Sequence, residues 1–430
     1  MNIKKLLELE LSQIKVNEDE ILYLKKLSEL IIKSIERKLE KNRINASAFI
    51  GGSLAKETLI KKPSYDVDIF LRFSKNYSEE QIKKFMKKIF FWFWVPGLRI
   101  KVQKIRGSRD YYKIIPKSIT GVSFEVIPSL KISSPNEARN ITDLSFFHVR
   151  YVKDSLSKNK KIKEQILIAK SFCNAQKCYG AESYIKGFSG YAIELLMIYY
   201  KDFIKFLREI SKKDELIIDI KKLYKSKKEI IESLNKAKHS PIILIDPTFK
   251  ERNAAGALSK ESFAKFQNAA KKFLENPSEE FFQYKKIDIP MLKTNAKEVN
   301  GIFAVFEIKT KKQPGDIAGS KMLKFSKVIS REIGKYFDIL ESEYDYWGER
   351  KSHLYYVLKR KAEIVHVGPS IYNEKAIKGF KEKHKIWYVE DGRIKSSIPT
   401  DLSLKEFLKV FKQKYRKTMK EMDISKIKII

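Results

Sequence analysis

Two neighbouring stretches decide the fold: Phe49-Ile-Gly-Gly-Ser-Leu-Ala-Lys-Glu-Thr-Leu59 and Asp66-Val-Asp-Ile-Phe-Leu71. The pattern predicts a strand, a Gly-Gly-Ser turn that opens a helix, and a second strand. Side chains alternate across a strand, so Asp66 and Asp68 point to the same face. Two carboxylates this close repel each other unless a cation lies between them. The second stretch therefore predicts a cation site.

The Gly-Gly-Ser turn adds a second kind of chemistry. Backbone N–H groups around Gly52 and the hydroxyl of Ser53 would meet at a helix N-terminus, which suits a triphosphate. A phosphate cradle beside a pair of carboxylates is the minimum apparatus for nucleotidyl transfer. Such sites need a third carboxylate from a neighbouring strand, and Glu125 lies in the apolar run Val122-Ser-Phe-Glu-Val-Ile-Pro128. The alternative for Glu125 is an edge-strand side chain that faces water.

The charge balance indicates the class of partner. The 430 residues include 88 Lys and Arg against 53 Asp and Glu, a formal net charge of +35. An excess of this size favours a polyanion, and nucleic acid in particular, since no strongly hydrophobic amphipathic stretch points to a membrane. The longest apolar run, Ile89–Val95, is too short to span a bilayer and is interpreted as the buried end of a helix.

Cysteine and histidine usage excludes other chemistries. Cys173 and Cys178 are too few and wrongly spaced for a zinc site, and the five histidines are scattered. No Walker-A or dinucleotide-binding motif occurs. We expect a reduced, cytoplasmic protein without a signal peptide.

Periodicity divides the chain into three domains of an α+β multidomain protein. Residues 1–140 are expected to form a catalytic head with helices on one face of a small sheet. Residues 141–284 are expected to form an all-helical central domain. Residues 285–430 return to mixed α and β, with a hairpin predicted at Asp391-Gly392 and a basic helix at the end.

The chain resembles the archaeal-type (class I) CCA-adding enzymes, which are tRNA nucleotidyltransferases of the polymerase-β superfamily. Beyond the turn and the aspartate pair, the similarity continues through Thr142–Arg150, Ile168–Phe172, Cys178–Glu182, Lys186–Tyr191 and Ile245–Asn253. It implies a polymerase-β-like head and an RNA-binding C-terminal region. It also implies that C, C and A are added to the tRNA 3′ end from CTP and ATP without a nucleic-acid template.

The resemblance also implies roles for individual residues. Asp66, Asp68 and Glu125 would hold two Mg²⁺ ions. Ser53 and Lys56 would contact the triphosphate, and Arg252 would present hydrogen bonds to the incoming base. The rest of the nucleotide pocket would come from the central domain: Ser145, His148, Lys170 and Tyr179. The C-terminal region would hold the tRNA elbow, and because the family includes dimers, a homodimer stays open.

Three positions depart from the family pattern. Glu125 stands where an aspartate is usual, Lys56 where an arginine is usual, and Arg109-Asp-Tyr-Tyr112 where a histidine is often found. The first departure leaves catalytic efficiency open. Two alternatives therefore stand beside CCA addition: another transferase of the superfamily, such as a poly(A) polymerase or an oligoadenylate synthetase-like enzyme, and a non-catalytic RNA-binding protein.

Overall fold

The computed structural model describes residues 2–430, which form two compact units. The first unit ends at Tyr284 and the second is Lys285–Ile430. Each contains both helices and strands, so the α+β class predicted from the sequence is confirmed. None of the helices in residues 2–430 has the length and apolar character needed to cross a bilayer.

The first unit opens with two helices followed by a five-stranded sheet of order β1-β2-β5-β4-β3, in which only β2 and β5 pair in parallel. The sequence did not predict the first helix or strand β4. The elements are α1 (Ile3–Ile14), α2 (Glu18–Lys41), β1 (Ala46–Ile50), α3 (Gly52–Lys56), β2 (Tyr65–Ser74), α4 (Glu79–Phe90), β3 (Ile100–Ile105), β4 (Tyr111–Pro116) and β5 (Val122–Lys131).

Strand β2 shows why this sheet positions a site. Val67, Ile69 and Leu71 are buried in the core that also contains apolar side chains of α2 and α4. The strand's alternation turns the aspartates to the opposite face. The parallel register places Asp68 beside Glu125, so the neighbouring strand delivers its carboxylate to the same face.

The expectation of an all-helical central domain is wrong, because a three-stranded sheet of order β6-β7-β8 lies among its helices. The four-residue apolar run of β7, Ile242–Ile245, fits a helix or a strand equally well, and its partner β6 is distant in sequence. The elements are α5 (Ser145–Lys158), α6 (Lys161–Ala175), α7 (Gly190–Tyr200), α8 (Phe203–Ile210), β6 (Leu216–Asp219), α9 (Lys227–Ser233), β7 (Ile242–Asp246), β8 (Phe249–Asn253) and α10 (Lys260–Glu275).

The second unit contains a four-stranded sheet of order β10-β11-β9-β15 and a three-stranded sheet of order β12-β14-β13. The predicted hairpin turn is confirmed, since Asp391 and Gly392 both have positive φ and join β13 to β14. The elements are α11 (Ile289–Glu298), β9 (Ile302–Thr310), α12 (Asp316–Ile333), β10 (Phe337–Asp345), β11 (Lys351–Arg360), β12 (Glu363–Ser370), α13 (Glu374–Lys383), β13 (Tyr388–Glu390), β14 (Arg393–Pro399), α14 (Leu404–Lys414), α15 (Arg416–Glu421) and β15 (Ile424–Ile429).

The aromatic run after α4 is not simply buried, as the sequence suggested. Phe90, Phe93 and Val95 are buried, but the intervening rings of Phe91, Trp92 and Trp94 are exposed. The helix ends at Phe90, and the positive φ of Trp92 turns the chain, so that Phe91 and Trp92 both face outward while Phe93 faces inward.

Candidate active site

The three carboxylates predicted from the sequence lie on one face of the β2–β5 pair. Asp66 is adjacent to Ser123 and Asp68 to Glu125 in the parallel register. Asp66 is the most open of them, with its side chain 60% exposed, whereas the Glu125 side chain is 22% exposed. The structure therefore brings the predicted acidic residues together, and Glu125 does not face bulk water as an edge residue would.

A lysine that sequence reasoning missed stands between two of these carboxylates. The Nζ atom of Lys113 lies 2.6 Å from Oδ1 of Asp66 and 3.5 Å from Oε1 of Glu125. Strand β4 places Lys113 directly opposite Glu125 in the antiparallel register. The hydroxyl of Ser123 donates a second hydrogen bond to Asp66. The signal for Lys113 was strand β4 itself, which the sequence analysis did not identify.

The electrostatics leave Asp68 the least compensated of the three carboxylates, and burial also raises the pKa of Glu125 in spite of the charge of Lys113. Burial and then the charge of Glu125 raise the pKa of Asp68 from 3.8 to about 7, against the opposing effect of Lys56. Burial also raises the pKa of Asp66, but hydrogen bonds from Lys113 and Ser123 outweigh it, and the net shift is downward. Three carboxylates thus share one close ammonium group, so the face has a deficit of positive charge.

This donor set fits a hard divalent cation such as Mg²⁺, which prefers carboxylate oxygens. Within residues 2–430, no three or more His, Cys, Asp or Glu side chains are already gathered as a metal site. A cation at this face would therefore have to draw Asp66, Asp68 and Glu125 together and displace Lys113.

The Gly-Gly-Ser turn is shaped by the carboxylate face. The backbone N–H of Gly51 donates to the carbonyl of Asp68, at 2.8 Å. A Cβ atom on Gly52 would lie 1.8 Å from Oδ2 of Asp68, and Gly52 has a φ of +57°. Ser53 follows in the first turn of α3, where the leading N–H groups have no intrahelical acceptor. The absence of a side chain at Gly52 is therefore what lets this turn lie against Asp68.

Behind the turn, Glu194 of α7 joins two of the lysines that the sequence assigned to nucleotide binding. Lys56 Nζ lies 2.5 Å from Oε2 of Glu194, and Lys170 Nζ lies 2.8 Å from Oε1. Thr58 donates to the same Oε1 at 2.7 Å. All four residues are buried. Burial raises the pKa of Glu194, but the lysine charges outweigh it and lower the pKa to about 2.

The ammonium group of Lys170 is fully occupied by protein partners. Its ammonium group has three N–H donors, and these are used by Glu194 and by the hydroxyl and carbonyl oxygens of Thr58. The side chain is 2% exposed. Burial lowers the pKa of Lys170 to about 8. Its position supports a structural role, in which it holds Glu194 and the end of the turn.

A second buried carboxylate, Asp246 at the end of β7, collects the predicted base-binding residues. Its oxygens lie 2.9 Å from Nε2 of His148 and 2.7 Å from Nη1 of Arg252, and Oδ1 accepts the hydroxyl of Tyr191 at 3.0 Å. The His148 and Tyr191 rings stack with centroids 4.1 Å apart. The sequence analysis did not identify Asp246 as the common hydrogen-bonding partner of these residues.

Asp246 keeps this cluster charged. Burial raises the pKa of Asp246, but the His148 hydrogen bond and the charges of His148 and Arg252 outweigh it and hold that pKa far below its usual range. Burial lowers the pKa of His148, although the hydrogen bond to Asp246 opposes the shift. An ionised Asp246 therefore orients both Arg252 and His148.

The other two predicted pocket residues lie on the same unit. Ser145 is half-buried on the first turn of α5, three residues before His148 and so on the same side of the helix. Tyr179 is half-buried, and Nζ of Lys62 lies 4.5 Å from its ring centroid. Burial raises the pKa of Tyr179, and the charges of Glu194 and Asp68 add to this increase. The ring therefore lies within electrostatic range of the Glu194 cluster and of the carboxylate face.

The chain is similar to known nucleotide-transferring proteins in both sequence and fold. The family described as tRNA nucleotidyltransferase, second domain, matches residues 164–283. A solved structure of Cid1, described as an RNA terminal uridylyl transferase, superimposes with a TM-score of 0.50 at 13% identity, over 66% of this chain and 98% of that chain. The carboxylate face and the matching family model define the class of protein, a nucleotidyltransferase.

Curated relatives identify the family more narrowly. A CCA-adding enzyme of Nanoarchaeum equitans is 32% identical, and the alignment covers 87% of this chain and 89% of the relative. A CCA-adding enzyme of Sulfurisphaera tokodaii is 31% identical over 86% of this chain and 85% of the relative. The chain belongs to the family of CCA-adding enzymes.

Replacing Gly52 with alanine should disable the site. The new Cβ atom must push Asp68 aside, in addition to the cost of about 1–2 kcal/mol for a left-handed alanine. Gly97→Ala is the matched control, because Gly97 has a φ of +72° but nothing within 4 Å of a Cβ atom. Urea denaturation should show a similar loss of stability from the backbone in both variants, and divalent-cation titration should show weaker binding only in Gly52→Ala. Equal cation binding in the two would contradict the proposed contact.

Replacing Glu194 with glutamine should destabilise the first unit by about 3–5 kcal/mol, since two buried ammonium groups lose their counter-charge. Glu57→Gln is the control, because Glu57 also pairs with two lysines but its side chain is 50% exposed, and about 0–1 kcal/mol is expected. Chemical denaturation measures both. Because the pKa of Glu194 is lowered to about 2, its contribution is present above pH 4.5 and is lost as the pH falls toward 2. Similar losses in both variants would refute this account.

Proposed function

We propose that the protein adds C, C and A in sequence to the 3′ end of tRNA, using CTP and ATP, by nucleotidyl transfer without a nucleic-acid template. The observation that carries the proposal is the convergence of Asp66, Asp68 and Glu125 beside the Gly-Gly-Ser turn. The CCA-adding enzymes that align with this chain over most of their own length support the choice of this reaction within the class. The two buried, unbridged cysteines, Cys173 and Cys178, agree with a cytoplasmic protein.

Asp66, Asp68 and Glu125 are the proposed ligands of two Mg²⁺ ions. Bound there, the ions would promote attack by the tRNA 3′-hydroxyl and neutralise charge on the triphosphate. The protein's part is to hold three carboxylates ready on rigid strands. Lys113 keeps Asp66 and Glu125 compensated when no cation is bound, and its four-carbon stem lets the ammonium group move away.

The turn supplies the proposed triphosphate contacts. The backbone N–H groups near Gly52 and the hydroxyl of Ser53 donate to phosphate oxygens. The short helix α3 positions these donors beside Asp68. Lys56 adds positive charge next to this turn, although Glu194 holds its ammonium group. Lys170 acts behind them by fixing Glu194, in place of the direct contact expected from the sequence.

The Asp246 cluster is the proposed base-recognition site. The bond to Asp246 uses one of the five N–H donors of Arg252, whose side chain is 22% exposed, so donors remain for the edge of a cytosine or adenine. His148 contacts the same oxygen, Oδ2, and Tyr191 donates to Oδ1. Ser145 and Tyr179 complete the pocket in this proposal. Selection of C and A then rests on protein groups and the tRNA, without a template strand.

The three domains predicted from the sequence remain proposals: a catalytic head (1–140), a central nucleotide-binding domain (141–284) and a tRNA-binding C-terminal region (285–430). In the C-terminal unit, a cavity of about 580 Å³ is lined by basic side chains from α14, α15 and β15, which suits an RNA backbone. The basic lining residues are Lys311, Lys412, Arg416, Lys420, Lys426 and Lys428.

Two neighbouring tyrosines of the C-terminal unit are too buried to stack on RNA bases. Tyr355 and Tyr356 are 8% and 0% exposed and belong to the unit's apolar packing. Trp347, in the same sequence region, is 60% exposed, and its indole N–H donates to Asp345. We propose that the tRNA elbow meets the C-terminal unit mainly through lysines and arginines, with few ring contacts.

Primer extension tests the proposed function. A tRNA that ends at its discriminator base should gain C, C and A when CTP and ATP are supplied with Mg²⁺, and should gain nothing from UTP or GTP. Asp66→Asn should lower the rate by more than about a hundredfold, since one acidic ligand is lost. Asp110→Asn is the control, because Asp110 pairs with Lys104 and lies outside the three carboxylates. Long A tails from ATP alone would favour a poly(A) polymerase, and no extension at all would refute catalysis.

The affinity for divalent cations should fall as the pH is lowered through 7. Cation binding needs Asp68 ionised, and its raised pKa of about 7 means that a proton competes below that pH. Affinity should then drop by up to about tenfold per pH unit between 7 and 5.5 and level off above 8. Calorimetric titration of Mg²⁺ or Mn²⁺ into the nucleotide-free protein measures this. A flat profile between pH 5.5 and 8 would show that Asp68 does not bind the cation.

A further inference from the structure

Three aromatic side chains on the first unit have no role in the proposed reaction. Phe91, Trp92 and Trp94, here called the aromatic patch, are 64%, 80% and 63% exposed. Rings of this size normally contribute their area to a core, so several exposed side by side mark an interaction surface. The patch lies in the connection between α4 and β3, in the unit that carries Asp66.

The patch is presented on a fixed backbone. Phe90, immediately before it, stacks on Tyr112 with centroids 4.3 Å apart and also contacts the buried ring of Phe93. Lys38 of α2 donates from Nζ to the carbonyl oxygens of Phe91 and Trp92, both at 3.2 Å. The exposed rings are therefore held from behind by buried rings and a clamped turn.

Trp92 also has an unusual backbone conformation. Its φ of +49° lies in the left-handed region, where bulky side chains are rarely found. Glycine or asparagine would occupy this position at lower cost, and Trp92 gains little burial in return. Stability alone does not account for a tryptophan here, which supports a role in binding.

The segment that carries the patch is basic, although Lys104 and Arg109 are paired with acidic residues outside it. From Gln81 to Arg109 the sequence contains no Asp or Glu but nine basic residues: Lys83, Lys84, Lys87, Lys88, Arg99, Lys101, Lys104, Arg106 and Arg109. Lys87 and Lys88, in the last turn of α4, precede the patch directly and are exposed. A partner that fits must offer negative charge and flat apolar faces together.

We propose that the aromatic patch is a stacking site for unpaired bases of RNA, with the flanking lysines and Arg99 contacting its phosphates. Base stacking on aromatic side chains within a basic surface is how single-stranded nucleic acids are bound without sequence preference. This inference rests on the proposed function for the presence of an RNA partner. It adds a contact on the head that lies outside the carboxylate face.

Two other partners fit less well. A membrane-binding helix exposes a broad apolar face, but the apolar side chains of α4, Ile82, Met86 and Ile89, are buried. A second copy of the chain would need about 800 Å² per partner and an interface core poor in lysine. Three rings bordered by lysines do not meet that requirement.

The test is RNA binding by the full-length protein carrying Trp92→Ala and Trp94→Ala, without nucleotide or divalent cation. Fluorescence anisotropy should show about 10- to 100-fold weaker binding of a labelled unpaired oligonucleotide and little change for a duplex of equal length. The dependence of affinity on salt should keep its slope, because no phosphate contact is removed. Trp347→Ala is the matched control, since Trp347 is 60% exposed on the other unit, and it should bind like the wild type.

A second variant separates stacking from damage to the fold. Trp92→Tyr with Trp94→Tyr keeps aromatic faces and should retain most of the affinity. Unchanged oligonucleotide binding in the double alanine variant overturns the proposal. It is also overturned if that variant instead loses binding to anionic vesicles, or changes oligomeric state in sedimentation while its RNA affinity stays the same.

Failure of the proposed function has a different signature. A wild-type protein that does not extend truncated tRNA, yet loses oligonucleotide affinity when the patch is removed, retains the stacking site without CCA addition. A protein that extends tRNA normally and binds the oligonucleotide equally well with and without the patch retains CCA addition and refutes the stacking site.

Discussion

Repulsion among Asp66, Asp68 and Glu125 is the constraint on which the site depends. Parallel pairing of β2 and β5 brings the three carboxylates to one face, where neighbouring strands are only about 4.8 Å apart. Without a cation, Lys113 compensates two of them, and the pKa of Asp68 rises to about 7. Cation binding is therefore an exchange. The metal ion replaces the ammonium group of Lys113 and, in the fraction of molecules in which Asp68 is protonated, also its proton.

The same principle organises the two clusters behind this face. Each has a buried carboxylate at its centre, Glu194 or Asp246, and each carboxylate holds basic residues in place. Removing one partner from such a group leaves a buried charge unpaired, which is costly. The basic side chains around the site thus depend on the buried carboxylates of Glu194 and Asp246 for their positions. Arg252 in particular is oriented by Asp246 before any nucleotide is present.

The sequence predicted what depends on local pattern and missed what depends on distant pairing. The aspartates, the turn and Glu125 follow from strand alternation and glycine placement, which act over a few residues. Glu194 binds Lys56 across 138 positions, and Asp246 binds His148 across 98, so no local pattern indicates either. The aromatic patch was misjudged because an apolar run looks the same whether its rings face the core or the solvent.

The lysine at position 56 illustrates how a departure from the family pattern can fit its surroundings. An arginine at this position would bind a carboxylate with two parallel hydrogen bonds and occupy both oxygens of Glu194. Lys56 uses Oε2 alone, which leaves Oε1 for Lys170 and Thr58. A single-point contact is therefore compatible with the buried network, whereas a bidentate one would add a third donor to Oε1, which already accepts from Lys170 and Thr58. The substitution and the network have to be understood together.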